Sequence, residues 1–115
     1  MKYEITTERD AYNDLSATYT KTLKTISSDE SLILEFYAMK CRGAITVRAS
    51  VSEYKNKIDD VFTSKTHIMF QDYSKTVHTV KCARVTEKKL IETLQDALAV
   101  RLDDVMIEVK EQYGL

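Results

Sequence analysis

Residues 28–43 read SDESLILEFYAMKCRG, and this stretch decides which fold the sequence predicts. It holds the densest apolar run of the chain, Leu32–Met39. Ser27 and Glu30 have the spacing of a helix capping box, and Gly43 suits the left-handed residue that ends many helices. Because the run is apolar nearly all round, we predict a central helix that is buried on more than one side.

The segment that follows permits two interpretations. Helical spacing is kept by Ala44, Val47, Val51, Tyr54, Ile58, Val61 and Phe62. Residues 45–47 (ITV) favour a strand, and residues 50–53 (SVSE) have the pattern of a second capping box, which would begin a helix only there. We expect a helix over most of 45–63. The alternative is a strand at 44–49 followed by a helix at 51–63.

Apolar spacing of three and four residues predicts two further helices. The first spans roughly 7–26 and carries Tyr12, Leu15, Tyr19, Leu23 and Ile26. The last carries Ile91, Leu94, Leu98, Leu102, Val105 and Val109. Thr86 is placed to cap this last helix, which should continue to Gly114, although 104–109 also has the composition of a closing strand.

Between these helices, two segments rich in β-branched residues predict a hairpin. Residues 66–71 and 76–84 flank the polar residues 72–75, which we expect to form its turn. The predicted fold class is therefore α+β, with three to four amphipathic helices packed with a β-hairpin. Short strands at 1–5 or 44–49 would enlarge the hairpin to a small antiparallel sheet.

Length and composition predict a single compact domain over 1–115. The chain is 43% hydrophobic and 30% charged, as globular proteins are. Cys41 and Cys82 are too few for a disulfide framework, so we expect free thiols in a reducing compartment. The N-terminus lacks a signal-peptide pattern, and no apolar run approaches membrane-spanning length. We therefore expect a cytoplasmic protein without membrane contact.

The charge of the chain is unevenly distributed although its net value is only −1. Residues 64–89 carry six basic and two acidic side chains, and residues 90–115 carry two basic and six acidic ones. Such a pattern indicates either a basic binding face or complementary segments within the fold.

Motifs for chemistry are weak throughout. Cys41, His67, His78 and Cys82 lack the spacing of a zinc site, and two glycines are too few for a phosphate-binding loop. Cys41 as a nucleophile, and Asp104 with the Glu108-Val109-Lys110 triplet as a magnesium nuclease site, remain as alternatives. We predict no catalytic residues, no metal and no cofactor.

The function favoured by these features is that of a small non-catalytic interaction protein. Seven tyrosines and a charge-segregated surface suit binding to a partner protein or self-assembly, most simply as a homodimer. The compact, proline-free composition is typical of an accessory or inhibitor protein of a virus or phage. Nucleic acid bound by the basic segment 65–89 is the alternative. The predicted contact residues are Tyr73, Lys75, Lys81, Arg84 and Tyr113.

Overall fold

The computed structural model describes residues 3–28, 30–58 and 63–115, with side chains described outside 54–58 and 63–72. The elements in chain order are β1 Thr6–Arg9, β2 Leu15–Thr25, β3 Glu30–Cys41, β4 Ala44–Ile58, β5 Thr63–Lys81 and α1 Glu87–Tyr113. The strands form one antiparallel sheet in the order β1-β2-β3-β4-β5. A single C-terminal helix packs on this sheet, so the prediction of three to four helices with a hairpin is wrong.

The helices predicted for 7–26 and for the 28–43 stretch are strands. In β2 the apolar residues Leu15, Tyr19 and Leu23 stand four apart, and a spacing of four fits both a helix and the period of two in a strand. In β3 the even positions from Leu32 to Ala38 are buried under the helix. Because Ile33, Tyr37 and Met39 at the odd positions are apolar as well, the alternation is largely concealed in the sequence.

The segment after Gly43 is also a strand, and β4 continues to Ile58 without the helix predicted for 45–63. The alternative strand at 44–49 was correct in kind but too short. Arg42 and Gly43 both have positive φ, 46° and 75°, as a tight hairpin between β3 and β4 requires. Gly43 is therefore left-handed as predicted, in a hairpin turn rather than at a helix end. Residues 59–62 lie outside the described residues.

The predicted hairpin at 66–84 is wrong too, because β5 runs through its expected turn from Thr63 to Lys81. Tyr73 was assigned to that turn and instead pairs with Val51 of β4. The register shifts between Val51 and Glu53, where β5 contains extra residues, and such a bulge bends a strand. Of the strand expected at 1–5, residues 3–5 are not in a strand, and Met1 and Lys2 lie outside the described residues.

The final helix is confirmed. The Thr86 hydroxyl accepts a 3.2 Å hydrogen bond from the Lys89 N–H, which caps the first turn. Gly114 is left-handed, with φ 67°, and its N–H donates to the Lys110 carbonyl, which closes the last turn. Residues 104–109 are helical, so the alternative of a closing strand does not occur.

One core lies between α1 and the sheet. Its helix side comprises Leu90, Leu94, Ala97, Leu98, Val105 and Val109, and its sheet side comprises Ala17, Leu32, Leu34, Phe36, Ala38, Ile45, Val47, Ala49, Val51 and Tyr73. Along its course α1 contacts β2, β3, β4 and β5, so it crosses the sheet. In the part of the chain that the structure describes, no helix has both the length and the apolar character needed to cross a membrane.

Candidate interaction surfaces

The face of the sheet opposite α1 is covered by none of the described elements, and we call it the open face. Side chains alternate between faces along a strand, and residues paired across strands share a face. By this register the open face comprises Thr6 and Glu8 of β1, Ser16, Thr18, Thr20 and Thr22 of β2, Ile33, Glu35, Tyr37 and Met39 of β3, Thr46, Arg48, Ser50 and Ser52 of β4, and Ser74, Thr76 and Thr79 of β5. Ser52, which pairs with Ile33, is only 3% exposed.

The central strand of the open face carries three apolar side chains, with Glu35 between the first two. Ile33, Tyr37 and Met39 stand on the central strand β3, and Met39 is 38% exposed. The solvent-facing side of an antiparallel sheet is usually polar, and the serines and threonines of the flanking strands follow that rule. The apolar stripe on β3 departs from the rule, in the position that a partner surface would cover.

Arg48 holds a positive charge in a fixed position beside this stripe. It stands directly opposite Tyr37, and its guanidinium donates to the Ser74 hydroxyl at 2.8 Å and to the Thr76 hydroxyl at 3.1 Å. The side chain is therefore held along β5 beside the stripe. A planar guanidinium that is fixed in this way is well suited to bidentate recognition of a carboxylate.

The turn between β1 and β2 presents an aromatic side chain on a defined backbone. One oxygen of Asp10 accepts the N–H groups of Tyr12 at 2.8 Å and Asp14 at 3.0 Å. Arg9 donates to the Asn13 carbonyl at 3.1 Å, and Asn13 has φ 65°. Tyr12 is 87% exposed at the tip of this turn.

The same end of the sheet collects basic residues, and we call residues 9–15, 40–45 and 80–89 the basic end. It contains Arg9, Lys40, Arg42, Lys81, Arg84, Lys88 and Lys89, against three acidic residues, Asp10, Asp14 and Glu87. Two of these carboxylates are engaged, that of Asp10 by the turn and that of Glu87 by the Thr7 hydroxyl at 3.0 Å. The net charge of +4 contrasts with −1 for the whole chain.

A pocket of about 270 Å³ opens at the basic end. It lies between the β1–β2 turn and the end of β3, with Asp14 on one side and Lys40 and Arg42 on the other. Tyr37 and Met39 also line it, so the pocket adjoins the open face.

A third polar cluster joins β5 to the C-terminal half of α1. The Tyr73 hydroxyl donates a 2.6 Å hydrogen bond to Oε2 of Glu108, and Lys75 Nζ donates to the same oxygen at 2.6 Å. Lys75 Nζ also lies 5.8 Å from the centre of the Tyr73 ring. The Nε of Arg101 is buried nearby and has no hydrogen-bond partner among the described residues.

This arrangement moves two pKa values in opposite directions. Burial, followed by the hydrogen bond to Glu108, raises the pKa of the Tyr73 phenol well above its usual range. The hydrogen bonds from Lys75 and then Tyr73 lower the pKa of the Glu108 carboxyl. At neutral pH the Tyr73–Glu108 pair therefore consists of a protonated phenol that donates to a carboxylate.

The predicted contact residues are divided between two places. Tyr73 is only 8% exposed and belongs to the core, with Lys75 beside it. Tyr113 is half-buried at the end of α1. Lys81 and Arg84 are exposed at the basic end, and Lys81 lies six positions after Lys75 along β5, about 20 Å along a strand.

Sequence reasoning missed Tyr37, Arg48, Lys40 and Arg42, since it assigned all four to helices. Glu35 was the one available signal in 32–38, because a charged residue two positions before Tyr37 marks the exposed side of a strand. The basic residues at 40 and 42 could not be grouped with Lys81 from sequence, since β4 joins them only through pairing.

The weak chemical motifs are dispersed or occupied. Cys41 is exposed at the end of β3, Cys82 donates from its thiol to the Arg84 carbonyl at 3.1 Å, and the side chain of His67 lies outside the described residues. Glu108 of the nuclease-like triplet is bound by Lys75 and Tyr73. Among the described residues, no three histidine, cysteine or acidic side chains group as a metal ion would need.

The chain was also compared with known proteins. No protein family, curated protein or solved structure in these comparisons matches it. Its function must therefore be argued from the surfaces themselves.

Proposed function

We propose that this chain is a small non-catalytic interaction protein that self-assembles as a homodimer through the open face. The apolar stripe of Ile33, Tyr37 and Met39 at the centre of the uncovered sheet carries this proposal. Two sheets packed face to face bury such a stripe between them, as in a β-sandwich. An accessory or inhibitor protein of a virus or phage, acting in the cytoplasm by covering a surface, is part of the same proposal and rests on composition.

The size of the open face supports a second copy as the partner. Five strands at ~4.8 Å spacing and about six residues at ~3.3 Å give a footprint of roughly 500 Å² on each copy. Two such faces bury roughly 1,000 Å² together, which reaches the threshold for a specific interface.

The charges of the open face are compatible with a two-fold contact. Glu35 and Arg48 both lie on the face, so a two-fold axis that lies in the plane of the interface can set the carboxylate of one copy opposite the guanidinium of the other. The central apolar stripe then meets its own copy, and serines and threonines form the rim.

Sedimentation equilibrium tests this proposal. The wild-type chain should sediment as a dimer at micromolar concentration, and Ile33→Lys/Tyr37→Lys should sediment as a monomer because two charges enter the stripe. The matched control is Val100→Lys/Ile107→Lys on the outer face of α1, where the native side chains are 67% and 59% exposed. The control should remain a dimer, and circular dichroism should show that both variants are folded. A wild-type monomer at about 100 μM, or a monomeric control, would overturn the proposal.

A further inference from the structure

We propose that the basic end binds a single-stranded nucleic acid. In this arrangement Lys40, Arg42, Lys81 and Arg84 neutralise successive phosphates, and a base stacks on Tyr12. The site differs from the hairpin that the sequence indicated, because it unites the end of β3, the end of β5 and the β1–β2 turn. None of these five residues belongs to the apolar stripe of the open face, although the basic end adjoins that face at the pocket lined by Tyr37 and Met39.

Strand pairing brings the four basic residues together. Lys40 pairs with Ile45 of β4, which pairs with Val80 of β5, so the backbones of Lys40 and Lys81 are about two strand spacings, or ~10 Å, apart. Lys81 pairs with Ala44, so the two lysines leave opposite faces of the sheet and flank its end from both sides. The Cys82 N–H donates to the Gly43 carbonyl at 2.9 Å, which ties the segment before Arg84 to the turn that carries Arg42. All four side chains are exposed.

The local electrostatics favour an anion at this end. The seven basic side chains face three carboxylates, two of which are held by other groups. Helix α1 begins here, and the partial positive charge of its N-terminus has the same sign. The C-terminal half of α1 carries Asp103, Asp104 and Glu111, so its negative charge disfavours a polyanion there and favours the basic end.

Tyr12 distinguishes a nucleic acid from other polyanions. Its ring is 87% exposed, and hydrogen bonds to Asp10 order its turn. An exposed aromatic ring beside basic residues is the arrangement by which proteins stack bases while neutralising phosphates. Stacking requires an unpaired base, so the structure favours a single strand over a duplex.

Fluorescence anisotropy of a labelled 12-nucleotide oligothymidine, titrated with the protein at several salt concentrations, tests the site. Lys81→Ala/Arg84→Ala should weaken binding and reduce the slope of log K against log salt by about 1.4, since each phosphate contact to a single strand contributes about 0.7. Tyr12→Ala should weaken binding at least about fivefold and leave the slope unchanged, because it removes stacking but no charge.

The matched control is Lys21→Ala/Lys24→Ala, which removes two exposed lysines towards the other end of β2. It should bind as the wild type does, and circular dichroism should show that all variants are folded. Equal losses in the control and in Lys81→Ala/Arg84→Ala, or no binding by the wild type at low salt, would overturn the proposal. Tighter binding of a 12-base-pair duplex than of the single strand, or an unchanged affinity of Tyr12→Ala, would overturn the role of Tyr12.

Discussion

The phenolic hydroxyl of Tyr73 lies 2.6 Å from Oε2 of Glu108, and this hydrogen bond fastens the edge strand β5 to the C-terminal half of α1. The same carboxylate oxygen accepts a hydrogen bond from Lys75. Part of the basic β5 is thus paired with the acidic helix inside the fold, which was one of the two meanings of the charge pattern. Lys81 and Arg84 are left exposed at the other end of the strand.

Replacing Tyr73 by phenylalanine removes only the hydroxyl of this contact. We expect Tyr73→Phe to lower the free energy of unfolding by about 1 kcal/mol, because a hydrogen bond at the edge of the core is lost. Urea denaturation measures the change. Tyr12→Phe, which removes a hydroxyl from a side chain that is 87% exposed, is the control and should change stability by less than about 0.5 kcal/mol. Equal effects of the two substitutions would contradict the role of the Tyr73–Glu108 bond.

The Glu108 carboxyl should make stability depend on pH. Its pKa is lowered in the folded chain by Lys75 and Tyr73, so its contribution is complete above the unfolded value of about 4.3 and is lost as pH falls through the folded value. The difference in melting temperature between wild type and Glu108→Gln should therefore be constant above about pH 5 and shrink below pH 4.

A double-mutant cycle tests whether Lys75 is the side chain that stabilises the ionised Glu108 carboxylate. In a Lys75→Met background, Glu108→Gln should have a smaller effect at pH 7 than it has in the wild type, since the two side chains interact directly. A strictly additive cycle would show that Lys75 is not the group that stabilises the carboxylate.

The two faces of β3 should respond differently to truncation. Leu34→Ala opens a cavity under the helix and should cost about 2–5 kcal/mol of unfolding free energy. Ile33→Ala shortens a half-buried side chain on the open face and should lower the free energy of unfolding by about 1 kcal/mol or less when measured on the isolated monomer. Similar losses at both positions would contradict the alternation of the strand.

Gly43 is required by its backbone conformation and not by lack of space. Its φ is 75°, and a Cβ atom added there would meet nothing within 4 Å. Gly43→Ala should therefore cost about 1 kcal/mol through left-handed strain alone. Gly114→Ala, which introduces the same strain at a helix end that can fray, should cost less by thermal denaturation. An unchanged melting temperature of Gly43→Ala would contradict this account of the turn.

An element of the fold is predicted correctly from the sequence where several local features agree on it. The last helix combines spacings of three and four with a capping threonine and a terminal glycine, so local residues specify it fully. In β2 the four-residue spacing of Leu15, Tyr19 and Leu23 is compatible with a helix and with a strand, and no local residue decides between the two. The segment forms a strand because its threonines at alternate positions have β-branched side chains that pack well on a pleated surface.

The candidate sites divide in the same way. Lys81 and Arg84 were chosen because charge can be counted along the chain, and they are exposed in the structure. Tyr73 was placed in a turn because polar residues surround it, whereas a long strand carries it into the core opposite Val51. The burial of Tyr73 depends on its pairing with β4, a segment for which the sequence predicts a helix.

The sequence alone determined the C-terminal helix and its caps, the left-handed residue at Gly43 and the separation of basic from acidic segments, because each depends on residues that are close in the chain. Tertiary structure decided that β1 to β5 form one sheet, that one face of it is left open, and that Lys40 and Arg42 lie at the same end of it as Lys81. The physical reason is that strands are stabilised by hydrogen bonds and packing between residues far apart in sequence, so their register exists only once the chain has folded.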